Sequence, residues 1–225
     1  MASEPRLLDR PHLPSSPPPL DWLTLADAFE LACLVRCTPP PTVAAHEPQP
    51  PYRGVVEFNR KDAALRMRQL LIRLDVPVEH EVVSGGLRRR YELHRLHVPP
   101  AHRTGYAALR EAGWRRGRRE LLRPTPGASA SRAAGRSRLA AAAWRSALLA
   151  GGRHVRRHIL GIRLADRELA AVLIRSASLL DVRALLQPGA GCLVVSVADG
   201  PDRLRIMERA ALGPARLLTG GMIGG

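Results

Sequence analysis

The sequence predicts an α+β fold of two pseudo-symmetric α-β-α-β-β-α repeats, each with an antiparallel sheet. Three observations predict it. Leu74-Asp75-Val76 matches Leu180-Asp181-Val182 without a gap, and Val56 matches Ile162 at the same offset. In the opening helices Phe29 matches Trp144 and Cys33 matches Leu148, at a larger offset because a Pro-rich loop lengthens the first half. The same succession of helical and alternating hydrophobic periods recurs on either side of residues 124–137. The 225 residues suit such a pair and suffice to bury a core. With aromatics at only 4%, that core must be built from Leu, Val, Ile and Ala.

Residues 1–19, with Ser15-Ser16-Pro17-Pro18-Pro19, read as a disordered arm. The first repeat spans 20–123. Its opening helix, about 21–36, puts Trp22, Leu25, Phe29, Ala32 and Cys33 on one face. The Pro-rich loop 38–51 follows, then a strand at 53–58 and a helix at about 60–75 with Met67, Leu70, Leu71 and Leu74 at helical spacing. A hairpin joins 78–83 to 88–96 through Ser84-Gly85-Gly86. A short helix then ends near Gly113, read as the glycine just past a helix end.

Residues 124–137 read as a flexible linker, 138–219 as the second repeat and 220–225 as a tail. The second repeat opens with a helix at 137–150 carrying Ala140, Trp144, Ala147 and Leu148. A strand covers 158–164, and a helix starts from Asp166 as N-cap with Leu169, Val172, Leu173, Ser176 and Leu180 buried. A second hairpin joins 182–187 to 191–197 through Pro188-Gly189. The last helix opens with Pro201 in its first turn and closes at Gly213.

The formal net charge of +15 favours a polyanionic partner, nucleic acid before an anionic membrane. Lys61 is the only lysine, so a GC-rich genome accounts for Arg over Lys. It does not account for Arg outnumbering Asp plus Glu. Three cysteines exclude a disulfide framework and a Cys-only zinc site. No signal-peptide run opens the chain. The longest apolar stretch, Leu139–Leu149, is too short to span a bilayer and is broken by Arg145, so a cytoplasmic, nucleoid-associated protein is expected. No GxGxxG and no phosphate-binding Gly-Lys-Ser/Thr loop occurs, and no cofactor is expected. Cys33 and Cys37, His94 and His97, and His154 and His158 are read as structural or surface residues, not as metal ligands.

Four arginine groups stand out. Arg88, Arg89 and Arg90 start a hairpin strand. Arg115, Arg116, Arg118 and Arg119 follow the last helix of the first half. Arg153, Arg156 and Arg157 lie in the loop after the opening helix of the second half. These three, with Arg163 and Arg183 on strands, are the candidate phosphate contacts to double-stranded DNA. The fourth group, Arg132, Arg136 and Arg138, is read as a solvated face.

Two such halves, each opening with a helix that ends in small residues, resemble a two-repeat LAGLIDADG homing-endonuclease fold, with Ala147-Leu148-Leu149-Ala150-Gly151-Gly152 in the role of the close helix contact. More specifically, Trp144 to Gly152, Gly85-Gly86-Leu87-Arg88-Arg89-Arg90-Tyr91-Glu92-Leu93 and the tail Arg209-Ala210-Ala211-Leu212-Gly213 are similar to the WhiA family of sporulation and cell-division regulators of Gram-positive bacteria. The likeness covers about residues 21–218. It implies a saddle of sheets over DNA, with Arg88, Arg90, Arg163 and Arg183 facing the duplex. That family continues into a helix-turn-helix domain, whereas this chain stops at Gly225, so sequence-specific promoter binding is not expected of it.

The resemblance also supplies a test of chemistry. Homing endonucleases hold divalent metal with an acid at the end of each first helix. The corresponding stretches here are Leu34-Val35-Arg36-Cys37-Thr38 and Gly151-Gly152-Arg153-His154, without Asp or Glu. The leading expectation is therefore a non-enzymatic DNA-binding regulator of transcription or cell division. A protein-interaction scaffold that has lost DNA contact is the alternative, and an active nuclease a distant third. One continuous basic saddle favours DNA; arginines spread over opposite faces favour the scaffold.

Overall fold

The computed structural model describes residues 20–38, 54–85, 91–124, 127, 129–156 and 159–210, with residues 153–156 described through their backbone alone. The first half runs α1 (Trp22–Cys37), β1 (Val55–Phe58), α2 (Lys61–Arg73), β2 (Glu79–Gly85), β3 (Tyr91–His97) and α3 (Arg103–Leu122). The second runs α4 (Ala130–Ala150), β4 (Gly152–Arg156), β5 (Ile159–Leu164), α5 (Arg167–Leu179), β6 (Ala184–Gly189), β7 (Cys192–Ala198) and α6 (Pro201–Arg209). The first sheet has the order β1-β3-β2 and the second β4-β5-β7-β6, all pairs antiparallel.

The repeat is visible at the level of single hydrogen bonds. α2 and α5 end in the same way, with Asp75 (φ 54°) and Asp181 (φ 56°) in the left-handed region. Val76 N–H donates to Leu71 O and Asp75 N–H to Ile72 O; Val182 N–H donates to Ala177 O and Asp181 N–H to Ser178 O. This pair of bonds satisfies carbonyls that the helix itself leaves open. Asp tolerates the conformation better than most side chains. Val56 and Ile162, the other matched pair, are both buried on the helix-facing side of their strands.

Helix starts follow local chemistry. The Asp21 carboxylate accepts from Leu23 and Thr24 N–H at 2.7 and 2.9 Å. Asp166 does the same for Glu168 and Leu169 at 2.9 and 3.0 Å, as its expected N-cap role requires. One hydrophobic core runs through both halves, with Phe29, Leu31, Leu34, Trp144, Leu148, Ile162, Leu173 and Val195 all fully buried. Among the described residues, no helix is long and apolar enough to cross a membrane.

Several boundaries differ from the sequence expectation. α4 begins at Ala130, capped by Ser129, so most of the stretch read as linker is helix. Its Ala content favours helix, and Gly135 seats the Trp22 ring so closely that a Cβ would lie 2.5 Å from it. α3 does not end at Gly113 but runs twenty residues to Leu122. Gly113 and Gly117 are interior contacts, because a Cβ would meet the Ala28 backbone at 2.7 Å and the Phe29 ring at 2.3 Å. Arg115, Arg116, Arg118 and Arg119 therefore lie within a helix and do not follow one. The second hairpin turns at Ala190-Gly191, with Gly191 at φ 67°, while Pro188 and Gly189 belong to edge strand β6. β4 is a strand where the sequence reading places a loop, so among the described residues the second half has one strand more than the first. The turn at Gly86, the Pro-rich loop and Gly213 lie outside the described residues.

Two glycines of α3 should therefore respond oppositely to substitution. Gly113→Ala overpacks the α1 contact and is expected to destabilise by about 1–3 kcal/mol. Gly105→Ala points into open space and is expected to stabilise by up to about 1 kcal/mol through helix propensity. Urea unfolding midpoints of the two variants check both signs.

Candidate nucleic-acid interface

α1 and α4 pack against each other between the halves, and small residues set the approach. Ala142, Ala143 and Ala147 are buried on α4, and Ala28 and Ala32 on α1. The Ser146 hydroxyl donates at 3.0 Å to the Glu30 carbonyl oxygen across the contact. The Glu30 carboxylate is buried beside it. Arg66 of α2 donates to both its oxygens at 2.6 and 2.7 Å, and Arg145 of α4 to one at 3.1 Å. Arg145 also donates to the Ala210 carbonyl at 2.9 Å, tying in the end of α6. Asp27 pairs with Arg73 at 2.7 Å; burial pushes its carboxyl above the usual range, and the Arg73 charge opposes that. The sequence reading missed this network. Its signal was Glu30 sitting among the apolar residues of α1, a position a carboxylate occupies only with partners.

The ends of α1 and α4 are tied by two latches at matching repeat positions. Arg36, at the end of α1, donates to Asp166, the N-cap of α5, and lies 3.7 Å from Glu168. Its guanidinium also stacks 3.9 Å from the Trp114 ring centre. Arg60, the residue before α2, donates at 2.9 Å to the Leu148 carbonyl near the end of α4. Each opening helix thus ends against the start of the other half's second helix. The remaining position is closed by packing: a Cβ on Gly151 would lie 2.5 Å from the Ala147 oxygen and 2.7 Å from Ile162. Cys33 and Cys37 share a face of α1, and burial pushes both thiols up, with Asp166 adding to the effect at Cys37. They stay protonated and are packing residues. Among the described residues, no cluster of three His, Cys, Asp or Glu could hold a metal ion.

Outside the helices, the strands present two unlike surfaces. The outer face of the second sheet carries Ile159, Gly161 and Arg163 of β5, Cys192, Val194 and Ser196 of β7, and Gln187 of β6, around a shallow cleft of about 320 Å³. Arg163 is exposed there, and Arg183 is exposed one residue before β6. Arg153 and Arg156 are placed on β4, opposite Ile162 and Ile159. The outer face of the first sheet is different. Glu57, Arg95 and Glu81 lie side by side across its three strands, with His97 and Glu79 paired beside them. Arg95 bonds Glu57 at 2.7 Å, which neutralises its charge, and His97 meets Glu81 at 3.1 Å.

Among the described residues, the expected arginines lie on different elements. Arg163 lies on the second sheet and Arg183 just before its edge strand β6. Arg115, Arg116, Arg118 and Arg119 lie on α3, which packs against α1, α4 and α5. Arg118 is held by Glu168 and Arg115 by Glu111 at 3.0 Å. Arg88, Arg89, Arg90 and Arg157 lie outside the described residues. Arg136, read as solvated, is buried and donates to the Leu121 and Arg123 carbonyl oxygens at 3.2 and 3.1 Å.

This fold is similar to solved structures. Full-length DUF199/WhiA from "Thermatoga maritima" aligns at TM-score 0.56 and 16% identity, over 90% of this chain and 62% of that one. The present chain thus spans about three fifths of that protein's length. The N-terminal LAGLIDADG domain of DUF199/WhiA aligns at TM-score 0.52 and 16% identity, over 86% of each chain. The homing endonuclease I-DmoI in complex with DNA and Mn aligns at TM-score 0.53 and 18% identity, over 84% of this chain and 98% of that one. No protein-family model and no curated protein matches the sequence. The chain has the two-repeat LAGLIDADG fold, with guanidiniums and a closed glycine at its first-helix ends.

Removing the Glu30 carboxylate should uncover two largely buried guanidiniums. Glu30→Ala is expected to destabilise by about 3–5 kcal/mol. Glu111→Ala, which breaks only the exposed pair with Arg115, is expected to change stability by less than about 1 kcal/mol. Chemical denaturation of both variants separates the buried network from surface pairing.

Proposed function

We propose that this chain is a non-catalytic DNA-binding regulator of the WhiA kind, acting in the cytoplasm on the nucleoid. The observation that carries the non-catalytic reading is the pair of first-helix ends. Arg36 is committed to Asp166, Arg60 to the Leu148 carbonyl, and Gly151 has no room for a side chain. Arg36 stands at the end of α1 and takes up the Asp166 carboxylate, which is then not offered to the divalent metal that phosphodiester cleavage by this fold requires. DNA binding is supported by the net charge of +15, by Arg163 on the outer face of the second sheet with Arg183 exposed just before β6, and by I-DmoI having been solved with DNA. The contacts are mainly to phosphate, so the affinity is sequence-tolerant and steeply dependent on salt. Regulation of transcription or cell division follows from the likeness to WhiA.

One observation favours a second reading, a protein-interaction scaffold. The arginines are divided between faces, and the first sheet's outer face is balanced by Glu57, Glu79 and Glu81. A regulator protein would then be the partner.

Fluorescence anisotropy with a random-sequence duplex, across about 50 to 200 mM salt, decides between them. Binding that weakens steeply with salt is expected; no binding at low salt leaves the scaffold. Arg163→Ala and Arg183→Ala should each weaken binding to all sequences alike and reduce the slope of log K against log salt by about 1.

Plasmid DNA incubated with the protein and Mg²⁺ or Mn²⁺ should remain supercoiled. Linear product from the wild-type chain, lost on chelation, would overturn the non-catalytic reading.

A further inference from the structure

Helix α3 carries more positive charge than its own structure uses. The buried side of the helix is set by Tyr106, Gly113, Trp114, Gly117 and Leu121. On the opposite side Arg115 and Arg119 stand one helical step apart, and Arg123, the C-cap, continues the row at about 6 Å per step. Arg116 flanks it. Like charges at this spacing destabilise a helix by about 0.2–0.5 kcal/mol per pair. Among the described residues, carboxylates hold Arg115 and Arg118 but none pairs with Arg116, Arg119 or Arg123.

The usual explanation for cations at this place is the negative end of the helix dipole. Here that end is already served. Arg136 donates to the Leu121 and Arg123 carbonyls, and Arg175 donates to the Leu121 carbonyl at 3.4 Å. Arg119 and Arg123 are additional guanidiniums on a terminus that two others already cap. Such crowding is relieved by an external anion.

The row also lies apart from the sheet face. α5 packs on the inner face of the second sheet, and α3 packs against α5, α1 and α4 on the helical side. The exposed row therefore belongs to the helical side of the molecule, with the second sheet and its Arg163 beyond the helices.

We propose that the Arg116–Arg119–Arg123 ridge is a second phosphate-binding surface, and that one molecule holds two DNA duplexes, one on the second sheet and one on α3. This rests on the DNA reading above and extends it from binding to bridging. A row of arginines on one helix face supplies phosphate contacts without base readout, so the second duplex is held without sequence preference.

The test is capture of a fluorescent duplex on beads carrying an unlabelled duplex, with anisotropy on a single duplex measured in parallel. The wild-type monomer should co-capture the labelled duplex. Arg119→Gln/Arg123→Gln should lower co-capture by about fivefold or more while single-duplex affinity stays within about threefold. Arg119→Lys/Arg123→Lys, which keeps the charge, should retain capture. Single-duplex binding without co-capture overturns bridging alone, and failure to bind any duplex overturns the DNA reading with it. Co-capture unchanged in the Gln variant, single-duplex affinity falling in parallel with it, or capture that tracks a protein dimer in sedimentation would each overturn the ridge as a second site.

Discussion

The structure depends on the close contact of α1 with α4, and on one buried carboxylate within it. Phe29 and Trp144 occupy matching positions in the two helices, so Glu30 and Arg145 match as well. The repeat places opposite charges at equivalent sites, and they meet at 3.1 Å. A symmetric dimer of either half would set Glu against Glu or Arg against Arg at this contact. Burying like charges together is strongly unfavourable. The sequence divergence of the halves is thus part of what specifies their pairing, as a polar residue fixes register in other helix contacts. Arg66 completes the site from α2, and Arg145 reaches on to α6, so four helices are fixed by one carboxylate.

From that contact the rest of the charge pattern follows. α1 and α4 deliver their C-terminal ends to the start of the opposite half's second helix, where Arg36 and Arg60 find acceptors. Arg66, Arg136 and Arg145 are likewise bound to named acceptors within the chain. Guanidinium suits these places because its planar fork serves several acceptors and remains charged when partly buried. These guanidiniums are held by acceptors within the chain, so their N–H groups are not the ones offered to a ligand. Among the described residues, exposed arginines include Arg163 on the second sheet and Arg115 and Arg119 on α3.

Much of the fold was legible because the repeat is written in residues with a structural duty. Leu74-Asp75-Val76 and Leu180-Asp181-Val182 align because each is a helix end of the same geometry, with the Asp at positive φ. Asp166 was readable as an N-cap because capping is local. The errors came where tertiary contact overrode a local signal. Gly113 was read as a helix end and is instead, with Gly117, the clearance that lets α1 pack on α3. Ser129 to Gly135 has linker composition, yet Trp22 covers Gly135 and extends α4. At the site, the missing acids at the helix ends were legible from the sequence once the resemblance located those ends. The acceptors that take up Arg36 and Arg136 were not, since those contacts join elements 130 and 15 residues apart.

The division of charge between the sheets also constrains how a duplex could lie on this fold. A saddle that engages both sheets equally would bring phosphates over Glu57, Glu79 and Glu81, of which Glu57 is paired with Arg95 and Glu81 meets His97. Repulsion there opposes the attraction at Arg163 and Arg183, and low dielectric between the surfaces would strengthen both. On the charges of the described residues, a duplex bound to this fold would shift towards the second half. Such one-sided contact engages fewer phosphates than a symmetric saddle, and so releases fewer counterions. In this chain the fold's pseudo-symmetry is kept in the core, where packing and caps demand it, and abandoned on the surface, where the two sheets carry different charge.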